Sequence, residues 1–220
     1  MARPQPPGFL ALPDGGAAPA VLVLHAWWGL NETIKSVCNR LAAEGFVAFA
    51  PDLFHGKVAV TRAEAEALSS STETDGGKQV GADVAAAAGF LTRHPSARGP
   101  WSGVIGLSFG VWYALKLSID DPDNVRAVVV FYGDGPREEY ARSKAAYLGH
   151  FAETDEFQPA AEVAGLERTL RAAGRPVTFH QYPGTGHWFF EPDRADAHSP
   201  DAARLAWERT ISFLRENLSP

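Results

Sequence analysis

The sequence of 220 residues predicts one α/β domain in which helices cover both faces of a mostly parallel sheet. Short continuous apolar runs alternate with helix-length segments along the chain, and no repeat or long linker interrupts this pattern. Hydrophobic residues make up 45% of the chain, which suits one sizeable core rather than two small ones. We therefore expect a single domain over residues 1–220, with an irregular lead-in rich in Pro, Gly and Ala at 1–19.

Six apolar runs are predicted to be the strands, because they are short and rich in valine, alanine and aromatic residues, as strands buried on both faces are. They are Ala20–Leu24, Phe46–Ala50, Val104–Ile105 with its neighbours, Ala127–Phe131, Ala145–Gly149 and Val177–Gln181. A short edge strand is also expected at Phe9–Leu12.

Helices are predicted between the strands, where longer segments mix apolar and charged residues. They are Asn31–Glu44, Ala63–Leu68, Val80–Arg93, Ser108–Leu117, Ala160–Ala173 and Pro200–Asn217. The stretch 69–78 is polar and contains two adjacent glycines, so it is predicted to be a mobile surface connection.

Composition and charge exclude several classes of function. The net charge of −6 gives no support for binding to nucleic acid or to an anionic membrane. No apolar run approaches the roughly 18 residues that a membrane span needs, and the first residues lack the apolar segment of a secretory signal. The single cysteine, Cys38, cannot form an intrachain disulfide. We expect a cytoplasmic protein that is a monomer or a weak homo-oligomer.

A Gly-x-Ser-x-Gly motif over 106–110 is the main functional signal, with Ser108 at its centre. A predicted strand precedes the motif and a helix pattern follows it. In that context the motif forms a sharp turn that projects the serine hydroxyl above the carboxyl end of the sheet. The free N–H groups of the helix then favour a developing negative charge. Two glycines around a serine also occur in ordinary turns, but the flanking elements favour Ser108 as a nucleophile.

His187 is the predicted base. It follows the strand Val177–Gln181 on a loop with glycines at 184 and 186, which permit a turn that aims the ring at the serine. A histidine at the carboxyl end of one strand can meet a serine at the carboxyl end of another. A Gly-His step in a loop is also frequent in simple turns.

Asp155 is the predicted acid behind His187, because it follows the strand Ala145–Gly149 and lies between serine and histidine in the chain. Glu153 and Glu156 are nearby alternatives. Asp134, which follows the preceding strand, is the main competitor, and its alternative role is that of a turn residue before a glycine.

The predicted oxyanion donors are the backbone N–H groups of Phe109, directly after the nucleophile, and of Trp27, in the loop after the first long strand. His25 in that loop is expected to support the loop, although it is also a candidate second base.

The aromatic residues around the predicted site fall into two groups. The side chains of Trp28 and Trp188, with that of Trp27, are expected to line an apolar substrate pocket. Trp112 and Phe190 are expected in the core.

The chain resembles the dienelactone hydrolase family, on motifs that extend from about residue 20 to its end. The resemblance rests on Leu24–Asn31, Gly45–Phe54, Gly106–Gly110, Thr154–Asp155 and Tyr182–Phe189. It implies an α/β-hydrolase fold, a small ester or lactone as substrate, and no cofactor. No metal site is predicted.

Three positions depart from what the resemblance implies for members active on dienelactone. Those members carry a cysteine nucleophile where this chain has Ser108, and a glutamate where it has Ala26. They also carry an arginine shortly after the histidine, where residues 188–191 here are Trp-Phe-Phe-Glu and the nearest arginine is Arg194. We therefore expect an uncharged or apolar substrate, and full dependence of Ser108 on His187 for proton removal.

The expected function is that of a serine hydrolase that forms a covalent acyl-enzyme from a small ester or lactone. Thioesterase or peptidase chemistry at the same three residues is an alternative, and so is a non-catalytic binding module that keeps the fold.

Overall fold

The computed structural model describes residues 5–218, except for the side chains of Pro100 and Trp101. Its seven strands are β1 (Gly8–Ala11), β2 (Ala18–Leu24), β3 (Val47–Pro51), β4 (Ala97–Leu107), β5 (Val125–Phe131), β6 (Ala146–Ala152) and β7 (Val177–Tyr182). Its six α-helices are α1 (Glu32–Ala43), α2 (Arg62–Ser71), α3 (Lys78–Thr92), α4 (Phe109–Asp120), α5 (Ala160–Ala172) and α6 (Pro200–Leu218). Short 3-10 helices lie at Thr72–Asp75 and Tyr140–Arg142.

The strands form one sheet in the order β1-β3-β2-β4-β5-β6-β7. Only β1 is antiparallel to its neighbour; the other pairs are parallel. The carboxyl ends of the parallel strands therefore meet along one edge, where the loops that follow β2, β4, β5, β6 and β7 come together. This is the fold class that the sequence predicted.

Two hydrophobic layers enclose the sheet, one on each face. Along β2, Val21 and Val23 pack on the face that α1 and α6 cover, and Leu22 and Leu24 pack on the face that α3 and α4 cover. Since both faces of the strand are buried, its sequence is continuously apolar instead of alternating. Among the described residues, no helix is both long and apolar enough to cross a membrane.

The prediction of a surface loop over 69–78 is wrong, because most of this segment is helical. Thr61 begins α2 with a capping box in which Glu64 bonds back to the cap, and the helix continues to Ser71. The 3-10 helix follows, and the carboxylate of Asp75 then accepts the N–H groups of Lys78 and Gln79 at the start of α3. Local side-chain caps, which a polar composition does not reveal, therefore order this segment.

Candidate active site

Ser108 occupies a strained turn between β4 and α4, with φ 46° and ψ −110°. Few residues other than glycine adopt a positive φ, and such strain is characteristic of functional sites. A Cβ at position 106 would lie 2.7 Å from the Cα of Val111, and one at position 110 would lie 2.4 Å from the carbonyl oxygen of Leu24. Glycine is thus required on both sides of the serine for the helix to approach the sheet this closely.

A chain of hydrogen bonds joins Ser108, His187 and Asp155. The Oγ of Ser108 lies 2.9 Å from Nε2 of His187, and Nδ1 of His187 lies 2.7 Å from Oδ2 of Asp155. The side chains of His187 and Asp155 are only 5% and 3% exposed. The other carboxylate oxygen of Asp155 accepts the N–H groups of Phe157 and Gln158, each at 2.9 Å. These two bonds hold the carboxylate in the orientation that contacts the histidine.

The three alternative acids have other partners. Glu153 accepts the N–H of Gly184, and Glu156 pairs with Arg62 at the surface. Asp134 accepts the N–H of Gly135 and pairs with Arg137. The structure therefore brings Asp155, rather than any of these, to the histidine.

Two residues that the sequence analysis did not identify lie behind His187. The ring of Tyr132 is 4.8 Å from the ring of His187, and its hydroxyl donates to Oε1 of Glu191 at 2.8 Å. Tyr132 follows β5 directly and has φ 39°. Glu191 is fully buried, and burial raises the pKa of its carboxyl to about 8. The only sequence signal for Glu191 was its position, as an acidic residue directly after the aromatic run Trp188–Phe190.

The segments that carry the two predicted oxyanion donors meet beside Ser108. Phe109 is the first residue of α4, where a backbone N–H has no acceptor within the helix. Gly110, in the first turn of α4, lies against the carbonyl groups of Leu24 and His25. The helix therefore packs directly against the loop that contains Trp27.

His25 supports this loop through both of its ring nitrogens. Nδ1 contacts the carbonyl oxygen of Ala26 at 2.7 Å, and Nε2 accepts the N–H of Leu53 at 3.2 Å. Burial lowers the pKa of the imidazole to about 4, so the ring is neutral at pH 7. With Nδ1 donating and Nε2 accepting, the ring has no free lone pair with which to act as a second base.

A cavity of about 430 Å³ opens directly above Ser108. Phe109, Trp112, Tyr113 and Asp134 line it, together with the connection between α2 and α3, which includes Glu73. Trp112 is 50% exposed, so the expectation that it belongs to the core is wrong. Its neighbours in the helix, including Val111 and Ala114, face the core instead.

The tryptophans predicted to line the pocket form an aromatic cluster on the His187 side. The ring of Trp188 lies 5.8 Å from that of Trp27, 5.4 Å from that of Trp28 and 4.9 Å from that of His187. Trp28 is only 4% exposed. Trp28 and Trp188 thus pack against one another beside His187. Neither belongs to the described lining of the cavity above Ser108. Phe190 is buried in the core, as predicted.

Comparisons with known proteins agree with the fold and the family resemblance. The sequence profile of the dienelactone hydrolase family matches residues 7–218. "Protein usf" of Aquifex pyrophilus is 33% identical over 96% of this chain and 94% of its own length. A Bradyrhizobium protein named "Probable 2-oxo-3-(5-oxofuran-2-ylidene)propanoate lactonase" is 32% identical over 92% of this chain and 86% of its own length. The crystal structure of the dienelactone hydrolase-like promiscuous phosphotriesterase P91, from metagenomic libraries, superposes with a TM-score of 0.84 at 21% identity, over 94% of this chain and 89% of that one.

Proposed function

This chain belongs to the dienelactone hydrolase family and is an ester or lactone hydrolase, and we propose that it works through Ser108, His187 and Asp155 with a covalent acyl-enzyme intermediate. The observation that supports this proposal most directly is the hydrogen-bonded chain that links the three side chains at the carboxyl edge of the sheet. In sequence the three residues follow the order Ser, Asp, His, which is typical of this fold.

In the first half-reaction, Ser108 Oγ attacks the carbonyl carbon of the ester while its proton passes to Nε2 of His187. Asp155 stabilises the imidazolium through Nδ1–H. The oxyanion accepts hydrogen bonds from the N–H groups of Phe109 and Trp27. The carbon–oxygen bond to the leaving group then breaks, and the alcohol takes the proton from His187, which leaves Ser108 acylated.

In the second half-reaction, water loses a proton to His187 and attacks the acyl carbon. The bond to Ser108 Oγ breaks, the proton returns to Oγ, and the carboxylic acid leaves. For a lactone the same steps open the ring, since the alcohol remains attached to the acyl group.

Activation of Ser108 depends on His187 alone in this mechanism. Position 26, where the resemblance implies a glutamate, holds the buried methyl group of Ala26, which cannot take a proton. A serine hydroxyl is a weak nucleophile at neutral pH, so it needs a base in direct contact, and the distance of 2.9 Å to Nε2 supplies that contact.

The test is active-site labelling with a fluorophosphonate, followed by mass spectrometry of the modified peptide. We expect one adduct at Ser108, and a loss of at least about a thousandfold in kcat for 4-nitrophenyl acetate in Ser108→Ala. Ser212→Ala, which removes an exposed hydroxyl on α6, is the matched control and should keep wild-type rates. Labelling at another residue, or wild-type hydrolysis by Ser108→Ala, would show that the nucleophile is misassigned.

A further inference from the structure

The cavity above Ser108 has an aromatic wall that is open to a ligand. The indole of Trp112 is half exposed there, although large aromatic side chains are usually buried. Tyr113 continues the wall, and its ring lies 5.3 Å from that of Phe109, next to the nucleophile. A group bound to Ser108 would therefore lie against the faces or edges of three aromatic rings.

Two carboxylates line the same cavity. Glu73, from the 3-10 helix between α2 and α3, lines the cavity, and Asp134 lines it from the end of β5. Arg137 contacts both Asp134 and Glu162, so its guanidinium neutralises one of these two carboxylates, and Glu162 lies outside the described lining of the cavity. Burial raises the pKa of the Tyr113 phenol, a hydrogen bond with Thr72 lowers it, and the nearby charges of Asp75 and Glu73 raise it further.

Asp134 is paired with Arg137, so Glu73 is the lining carboxylate that forms no ion pair among the described residues. The described lining of the cavity contains no lysine, arginine or histidine. Lys57 and His55 line an adjoining cavity of about 270 Å³, which shares Thr72 with this one. An aromatic surface flanked by carboxylates is the arrangement that binds organic cations, because the negative faces of the rings and the carboxylates attract the same charge.

We infer that this cavity recognises a positively charged organic group, so that the enzyme prefers esters bearing a quaternary ammonium over neutral esters of the same shape and rejects esters bearing a carboxylate. The inference rests on the proposed function, since it places the ammonium group of an ester beside Trp112, Tyr113 and Glu73 while Ser108 attacks the carbonyl carbon. It extends that function by stating which charge the substrate carries, and it replaces the expectation of an uncharged substrate drawn from the sequence.

Three butyrate esters test this preference, since they release the same acid and differ in one group. They are 2-(trimethylammonio)ethyl butyrate, its neutral isostere 3,3-dimethylbutyl butyrate, and the anionic 3-carboxypropyl butyrate. Initial rates at pH 8 are followed by titration of the released acid. We expect kcat/KM for the ammonium ester to exceed that of the isostere by about tenfold, and the anionic ester to be slowest. Equal rates for the first two esters, or a preference for the anionic one, would overturn the inference and leave ester hydrolysis itself intact.

Two substitutions assign the preference to the cavity. Glu73→Gln removes a charge, and Trp112→Leu removes the exposed ring; both side chains are exposed, so the fold should tolerate the changes. Each should lower the ratio of ammonium to neutral ester by about threefold or more, because the neutral isostere gains nothing from the carboxylate or from a cation–ring contact. Glu208→Gln, which removes an exposed carboxylate on α6, is the control and should keep the wild-type ratio. An unchanged ratio in both cavity variants would contradict the assignment.

A binding measurement separates this inference from the proposed mechanism. Calorimetric titration of Ser108→Ala with choline, and with 3,3-dimethylbutan-1-ol as neutral isostere, requires no turnover. Binding of choline without binding of its neutral isostere supports the cation site, even if none of the three esters is hydrolysed. A lack of ester hydrolysis would refute only the proposed function. Equal binding of both alcohols, or of neither, counts against the cation site whatever the esterase activity is.

Discussion

Glu191→Gln should change how the stability of the protein depends on pH. Glu191 is fully buried, its Oε1 accepts from the Tyr132 hydroxyl, and its Oε2 has no hydrogen-bond partner among the described residues. Burial raises the pKa of its carboxyl from 4.5 to about 8, against the opposing effect of the Tyr132 hydrogen bond. A glutamine has nearly the same shape and can accept the same hydrogen bond, but it does not ionise.

The size of this change in stability follows from the difference in the pKa of Glu191 between the folded and unfolded chains. Below pH 4.5 the carboxyl is protonated in both states, so the full stability is present. Above that pH the unfolded chain releases the proton while the folded chain keeps it, and each pH unit lowers the free energy of unfolding by about 1.4 kcal/mol. The loss is complete once the pH has risen through the folded value near 8. Between pH 5 and pH 8 wild type should therefore lose roughly 4 kcal/mol relative to Glu191→Gln.

The assay is urea unfolding followed by tryptophan fluorescence at pH 5, 6, 7 and 8 for both proteins. The informative quantity is the change with pH in the difference between the two free energies of unfolding. Any constant effect of the amide cancels in this difference. Glu208→Gln, whose carboxylate is exposed, is the control and should give a curve parallel to that of wild type. If the difference between wild type and Glu191→Gln varies by less than about 1 kcal/mol over this range, Glu191 is not held neutral by burial.

Two further predictions concern the reaction. Asp155→Asn should lower kcat by about a thousandfold or more, because the histidine loses the acceptor that orients it. Asp134→Asn should change the rate of neutral-ester hydrolysis by less than about fivefold. Comparable losses in both variants would contradict the assignment of Asp155 as the acid in favour of Asp134, at the end of β5. His187→Ala should lower kcat for 4-nitrophenyl acetate by about a thousandfold, because Ser108 then has no base in direct contact. Wild-type rates in this variant would rule out the role of His187 as base.

The sequence was informative about the candidate site because the fold brings distant positions together by a simple rule. Ser108, Asp155 and His187 each follow a buried strand of one parallel sheet, and the carboxyl ends of such strands share an edge. Once the strands were located, the side chains at their ends had to be near one another. The same rule left Asp134 as a competitor, since it follows β5, and only the contact between His187 and Asp155 distinguishes the two.

The cavity could not be predicted in the same way, because its walls depend on how elements pack. Helix α4 is apolar on nearly every side, so its sequence does not show which face meets the sheet, and Trp112 was placed in the core. Another part of the lining belongs to the segment 69–78, whose polar composition suggested a loop although side-chain caps make it largely helical. Tyr132 and Glu191 were missed because their contact joins β5 to the loop after β7 and leaves no local pattern.

One of the three departures from the family resemblance, the missing arginine, fits the charge of the cavity. The arginine that the resemblance implies for holding a substrate carboxylate has no counterpart at 188–191, and the cavity carries Glu73 and Asp134 in its walls. A carboxylate placed against Glu73 would be repelled, whereas an ammonium group would be attracted at the same distance. The hydrogen-bonded residues at the sheet edge do not determine this preference, since Ser108 and His187 contact only the ester carbonyl and the leaving oxygen. Selection by charge therefore resides in α4 and in the connection between α2 and α3, where substitutions can alter the substrate without altering the reaction.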